Sequence, residues 1–176
     1  MRRLETLLVI AVGGIVASGK STISRAIAAE LDAVRIEADE LRAAFEHEGR
    51  RDAFAPGFSE TVYEEMFAEA DKALGSGRAV VLDGTFRSRE RRAHARELAM
   101  RYGATFRFVE CRVDEAVVRE RLSQRDDPDG WLQMFDHFLP LWEPVIEIAA
   151  EERVVLDTSK PLGATPARVL LELERS

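Results

Sequence analysis

Residues 14–21 read Gly-Ile-Val-Ala-Ser-Gly-Lys-Ser, and their types and spacing suit one purpose, gripping phosphate. Glycines at 14 and 19 allow the backbone to curl until its amides point inward at anionic oxygens. Ala17, Ser18 and Thr22 extend that amide-lined segment into the start of a helix, whose N-terminus adds partial positive charge. Lys20 supplies a point charge to the outer phosphates, and the Ser21 hydroxyl is an oxygen ligand for Mg²⁺. Four fixed positions arise by accident in a chain this long in roughly 1% of cases or fewer. A glycine-rich strand-to-helix turn without a ligand is therefore the weaker reading.

Two carboxylates follow strands that lead to the same end of the molecule. Asp83 closes the apolar run Val80-Val81-Leu82, where an aspartate organises a metal ion; the alternative is a cap before Gly84-Thr85. Asp39 follows the second expected strand, placed to accept the proton of an attacking hydroxyl. One helical turn on, Arg42 lies on the same side and suits an anionic part of an acceptor. The bland reading makes Asp39 an N-cap and Arg42 a solvated charge. Arg119, Arg121 and Arg125 precede the polar stretch 126–130, where arginines on a closing flap would neutralise a transferring phosphoryl group. Otherwise they complement a helix dipole and pair with Asp126 and Asp127. Arg89, Arg92 and Arg96 share a helix face that suits either acceptor phosphate or plain solvation beside Glu90 and Glu97.

These groups need a scaffold that brings strand ends together. Thr6–Val12 is an apolar run bounded by glycine, as in a strand buried on both faces. Helical spacing predicts a helix over 20–31, followed by a strand at 34–38 and a helix at 39–47. A loop at 49–58 precedes a helix capped by Ser59 and running to Leu74. Strand 79–82, helix 89–102, strand 105–111 and helix 114–124 come next. Arg125–Gly130 reads as a loop, and two short helical pieces cover 131–139 and 144–150. Strand 153–156 and a closing helix at 165–173 complete the pattern. Strands alternating with helices predict a three-layer α/β sandwich with a five-stranded, mainly parallel sheet, one domain over 1–176 and a helical lid near 119–142.

Composition narrows the partners. The chain has 176 residues, 46% hydrophobic and 32% charged, with a net charge of −7. That balance argues against a broad footprint for duplex nucleic acid, while a short strand held by local arginines stays open. No stretch approaches the ~20 apolar residues of a membrane span, so a membrane partner is not expected. The N-terminal Met1-Arg2-Arg3 and the run after it superficially resemble an export signal, but Glu5 and Gly13-Gly14 fit a buried strand better. A lone Cys111 suits a small core residue and a reducing, cytoplasmic compartment. His47, His94 and His137 lack metal-ligand spacing with each other or with Cys111.

The glycine-rich segment with its lysine and serine is a P-loop, and its companions resemble a known group. Asp83-Gly84-Thr85-Phe86-Arg87-Ser88-Arg89-Glu90-Arg91-Arg92 is similar to the Asp-x-Thr/Asn…Glu-Arg-Arg segment of polynucleotide 5′-hydroxyl kinases. Asp39-x-x-Arg42 resembles their general base and substrate-phosphate arginine, and Arg125 falls where their lid arginine stands. Over about residues 6–158 the chain resembles small P-loop kinases more broadly, including zeta-toxin-like, gluconate and chloramphenicol kinases and stand-alone bacterial kinases. The resemblance implies a P-loop NTPase fold and γ-phosphoryl transfer from Mg²⁺-ATP to a hydroxyl-bearing acceptor, a small molecule or a nucleic-acid 5′ end. It implies Lys20, Asp39 and Arg125 as catalytic residues, with Arg121 and Arg125 beside the cradle on the nucleotide. Asp39, Arg42, Thr85 and Arg92 would line the acceptor, and Ser21 and Asp83 the metal. Thr158-Ser159-Lys160-Pro161 lacks a guanine-reading Asn-Lys-x-Asp pattern, which favours ATP. The competing reading is a P-loop ATPase or switch with no acceptor.

Overall fold

A computed structural model describes residues 7–47 and 57–160. Its centre is β1 (Leu8–Gly14), whose residues from Val9 onward are all buried. Burial on both faces is why this strand is apolar throughout instead of alternating. β1 lies between β3 (Val80–Asp83) and β4 (Thr105–Arg112), with β2 (Val34–Glu37) outside β3 and β5 (Arg153–Asp157) outside β4. All four pairings are parallel. The order β2-β3-β1-β4-β5 means that the chain leaves β1 toward one edge and later crosses to the other. The carboxyl end of β1 therefore faces a crevice where the strand order reverses, the place such sheets use for ligands.

Helices cover both faces, as parallel connections require. α1 (Lys20–Leu31) packs Ile23, Ile27 and Ala28 against Ile10, Val12, Val81, Val109 and Leu156. On the opposite face, α2 (Ala38–His47), α3 (Phe58–Gly75) and α4 (Arg89–Arg101) enclose a larger core with Val62, Met66, Phe86, Leu98 and Phe108. A third cluster joins α5 (Glu115–Ser123) to α6 (Pro128–Phe138) through Val118, Leu122 and Phe135. Ile15, Val16 and Ala17 pack against it, so the lid helices rest directly on the glycine-rich loop.

Most expected elements form, and three differ for visible reasons. α3 starts at Phe58 behind a left-handed Gly57, and the Ser59 hydroxyl accepts from Arg91 instead of capping. α6 starts at Pro128, inside the segment expected to be a loop, because Asp127 caps it through Gly130 N and proline tolerates the first turn. The helical piece expected at 144–150 does not form. Arg92 takes the carbonyls of Glu143 and Pro144, and Arg153 takes that of Val145, which holds this segment irregular. The expected closing helix at 165–173 and most of the loop at 49–58 lie outside the described residues.

Candidate active site

The cradle begins where β1 ends. A Cβ on Gly14 would meet Ser18 Oγ at 2.5 Å and the Cys111 carbonyl oxygen at 2.6 Å, so glycine is required there on space alone. Ala17 (φ 59°) and Gly19 (φ 81°) adopt left-handed conformations that turn the chain back on itself. Among the described residues, the amides of Val16, Ala17 and Gly19 donate to no backbone carbonyl. Ser18 Oγ is buried and has no hydrogen-bond partner. Amides that donate to no carbonyl, together with an orphaned hydroxyl in a tight glycine turn, are what an anionic oxygen would satisfy. The donor set therefore fits a nucleotide's phosphates.

Neighbouring elements hold this loop in place. Gly14 N donates to the Thr85 carbonyl at 3.2 Å, tying the cradle to the chain after β3. Arg121, on α5, donates to the Ala17 carbonyl at 2.9 Å and the Thr158 carbonyl at 2.7 Å. It is thus a brace between the cradle and the exit of β5, with its planar fork engaged on both sides. Arg125 lies over the Trp131 ring at 4.5 Å on the exposed lid, and Arg119 pairs with Glu115 and Asp136.

Lys20 is half-buried, with Nζ donating to the Ile15 carbonyl at 2.9 Å. Burial pushes its ammonium below the ordinary lysine value, against the opposing charges of Asp83 and Asp39; Arg125 adds a smaller push downward.

Strand register puts Glu37 beside Asp83 at the crevice edge. Asp83 is 2% exposed, and its Oδ2 accepts from Ser24 Oγ at 2.6 Å and Arg35 at 2.8 Å. The same guanidinium reaches Glu37 Oε2 at 2.6 Å, and Ser21 Oγ donates to Glu37 Oε1 at 2.9 Å. Burial raises the Glu37 carboxyl, but hydrogen bonds from Arg35 and Ser21 more than offset this and hold it below its usual range. Sequence reasoning missed Arg35, Glu37 and Ser24. The signal was available: alternation along Val34-Arg35-Ile36-Glu37 places two opposite charges on one face of a half-buried edge strand, and such charges need partners.

On the acceptor side, Asp39 opens α2 and is 84% exposed, with Arg42 at 3.8 Å. Arg42 lies over the buried Phe58 ring at 5.7 Å. Thr85 shares a 3.3 Å hydrogen bond with the Tyr63 hydroxyl, which also accepts from Phe86 N at 3.0 Å. Arg91 stacks over the Tyr63 ring at 4.0 Å and bonds Ser59. Arg87 stacks on Phe138 of the lid, and burial followed by the charge of Arg91 lowers its guanidinium's affinity for its proton. Arg92 is a correction. Expected on the acceptor, it is 0% exposed and spends its guanidinium on Glu147 and on the carbonyls of Phe86, Glu143 and Pro144. Its place is inside the fold, bracing the 143–147 segment. Cys111 is buried and its thiol is pushed up to about 12, chiefly by burial, consistent with a core residue.

Comparison with known proteins agrees with this geometry. A family model described as AAA domain matches residues 9–136, which span the cradle, both acidic strand ends and the lid. An uncharacterized protein of Mycobacterium tuberculosis is 31% identical over 130 residues, covering 68% of this chain and 26% of that protein. The chain thus spans about a quarter of the length of the curated relatives it matches. A gluconokinase from Sinorhizobium meliloti is similar in structure, with a TM-score of 0.67 and 26% identity, covering 99% of this chain and 94% of that one. An APS kinase of Mycobacterium tuberculosis, solved with AMPPNP and APS, shares the fold at a TM-score of 0.69 and 18% identity, covering 96% and 98% of the two chains. A sugar kinase from a Janibacter species does so at 0.70 and 22%, covering 96% and 95%. The chain belongs to this AAA domain family, and its fold is that of small P-loop kinases.

Proposed function

We propose that the protein is a Mg²⁺- and ATP-dependent kinase that transfers the γ-phosphoryl group to an alcohol hydroxyl. The observation carrying this reading is that the orphaned Ser18 hydroxyl stands in the glycine turn after β1, while Asp83 ends the neighbouring β3 and Asp39 follows β2 in the first turn of α2. A carboxylate opposite the cradle on an open helix start is what a transferase needs and a simple hydrolase does not.

In this reading the amides of Val16, Ala17 and Gly19, Ser18 Oγ and Lys20 hold the triphosphate, with Arg121 fixing the loop that presents them. The acceptor lies between Asp39 and Arg42 on one side and Thr85 on the other. Its oxygen attacks the γ-phosphorus, the bond to the β–γ bridging oxygen breaks, and ADP leaves with that electron pair. The hydroxyl proton passes to Asp39. Arg125, freed from Trp131 as the lid closes, balances charge on the transferring group. Ser21 and Asp83 are the residues that would hold Mg²⁺, which supplies charge neutralisation on the phosphates when bound.

The acceptor side carries Arg42 and Arg87 among aromatic rings, and this favours an acceptor with an anionic group. The test is labelled ATP offered with 5′-hydroxyl oligonucleotides, nucleosides, sugars, sugar acids and aminoglycosides. Label is expected on one alcohol class. Label released only as inorganic phosphate, with every acceptor unlabelled, would leave an ATPase or switch instead.

A further inference from the structure

A hydroxyl ligates a cation through an oxygen lone pair, so its hydrogen has to be engaged elsewhere. The Ser21 hydroxyl has its hydrogen committed to Glu37 Oε1 at 2.9 Å, and a carboxylate paired with a guanidinium can only accept. Asp83 of the neighbouring strand does not take this hydrogen; its Oδ2 accepts instead from Ser24 and Arg35. The Arg35 guanidinium reaches Glu37 at 2.6 Å, Asp83 at 2.8 Å and the exposed Glu40 at 3.3 Å, while its Nε donates to Ser24 Oγ at 2.8 Å. Side-chain exposure of 13% for Arg35, 12% for Glu37 and 2% for Asp83 keeps the network from relaxing into water.

We propose that Glu37 is a positioning residue for the metal-ligating hydroxyl: it accepts the hydrogen of Ser21 and so turns the oxygen's lone pairs toward the cleft. Arg35 fixes the carboxylate that does this. The role is separate from that of Asp83, and it divides between two strands what one carboxylate would otherwise do alone. It rests on the kinase reading only in taking the bound nucleotide to carry a metal ion. A brace between β2 and β3 would explain the same ion pairs, but a brace has no need of the Ser21 hydroxyl.

The test compares AMPPNP affinity of the full chain, by calorimetry, in saturating Mg²⁺ and in EDTA. Glu37→Gln is the informative variant. Arg35 demands the amide oxygen, so the amide NH₂ faces Ser21, reverses the hydrogen bond and occupies the lone pair. We expect Glu37→Gln to lose about 10–100-fold of the metal-dependent tightening. Affinity in EDTA should stay within about twofold, because no phosphate contact changes. Ser21→Ala should lose the same increment, and the double variant should be no worse than Ser21→Ala alone. An unchanged metal increment in Glu37→Gln, or losses that add in the double variant, would overturn the proposal in favour of a brace. Should Glu37→Gln melt early, Glu37→Asp at the same site provides the second measurement. It keeps an acceptor-only group and is expected to retain more of the increment than Glu37→Gln; equal loss in both counts against the proposal. Metal-dependent binding without phosphoryl transfer to any alcohol would refute the kinase and leave the role of Glu37 standing.

Discussion

The two halves of the crevice are built on different principles. On the cradle side, Gly14 is wedged against Ser18 and Cys111, Thr85 and Arg121 tie the loop down, and the lid cluster presses on Ile15, Val16 and Ala17. On the acceptor side, Asp39 is 84% exposed, its contact with Arg42 is 3.8 Å long, and the Arg87 guanidinium stacks on an aromatic ring of the lid. One half is over-determined by many bonds, while the other presents charges on the starts of helices. A shared nucleotide needs an invariant grip, whereas an acceptor is selected by side chains that differ without disturbing the sheet.

Variants on the two sides should therefore fail in different ways. The largest effect is expected at Asp39→Asn, which removes the proton acceptor. Turnover should fall about 10²–10⁴-fold in steady-state assays with AMPPNP affinity unchanged, and retained turnover would remove Asp39 as base. Next comes Lys20→Ala, expected to lower turnover about 10²–10³-fold and also weaken nucleotide binding. Unchanged AMPPNP titration would break the contrast between the halves. The smallest effect is expected at Arg42→Ala, raising KM for an anionic acceptor about tenfold, roughly 1.4 kcal/mol, with KM for ATP unaffected. If a neutral acceptor suffers equally, the arginine is a packing partner of Phe58 and not an anion anchor.

Legibility in the sequence followed the same division. The cradle was readable because eight contiguous residues do the work through their own backbone, so spacing alone specifies it. Asp83 was readable because it closes the apolar run Val80-Val81-Leu82, and Asp39 because it follows the second strand at the start of a helix. Arg92 was misread because helical periodicity gives a face but not what covers it. The covering segment, 143–147, lies some fifty residues further along the chain. Arg121 was placed near the nucleotide, yet its engagement with Ala17 and Thr158 depends on how α5 folds back over the loop. The network through Arg35 escaped for a related reason: it joins α1, β2 and β3, and its members gain meaning only when register sets Glu37 beside Asp83.

Sequence by itself determined the alternation of strands and helices, the phosphate-gripping turn and the two acidic strand ends, because each depends on residues close in the chain. Tertiary structure alone decided the strand order, which arginines are buried braces and which face the crevice, and which carboxylate accepts the hydrogen of Ser21. Those outcomes depend on desolvation and on partners from distant elements. A buried charge is stable only beside the particular groups that the fold brings to it.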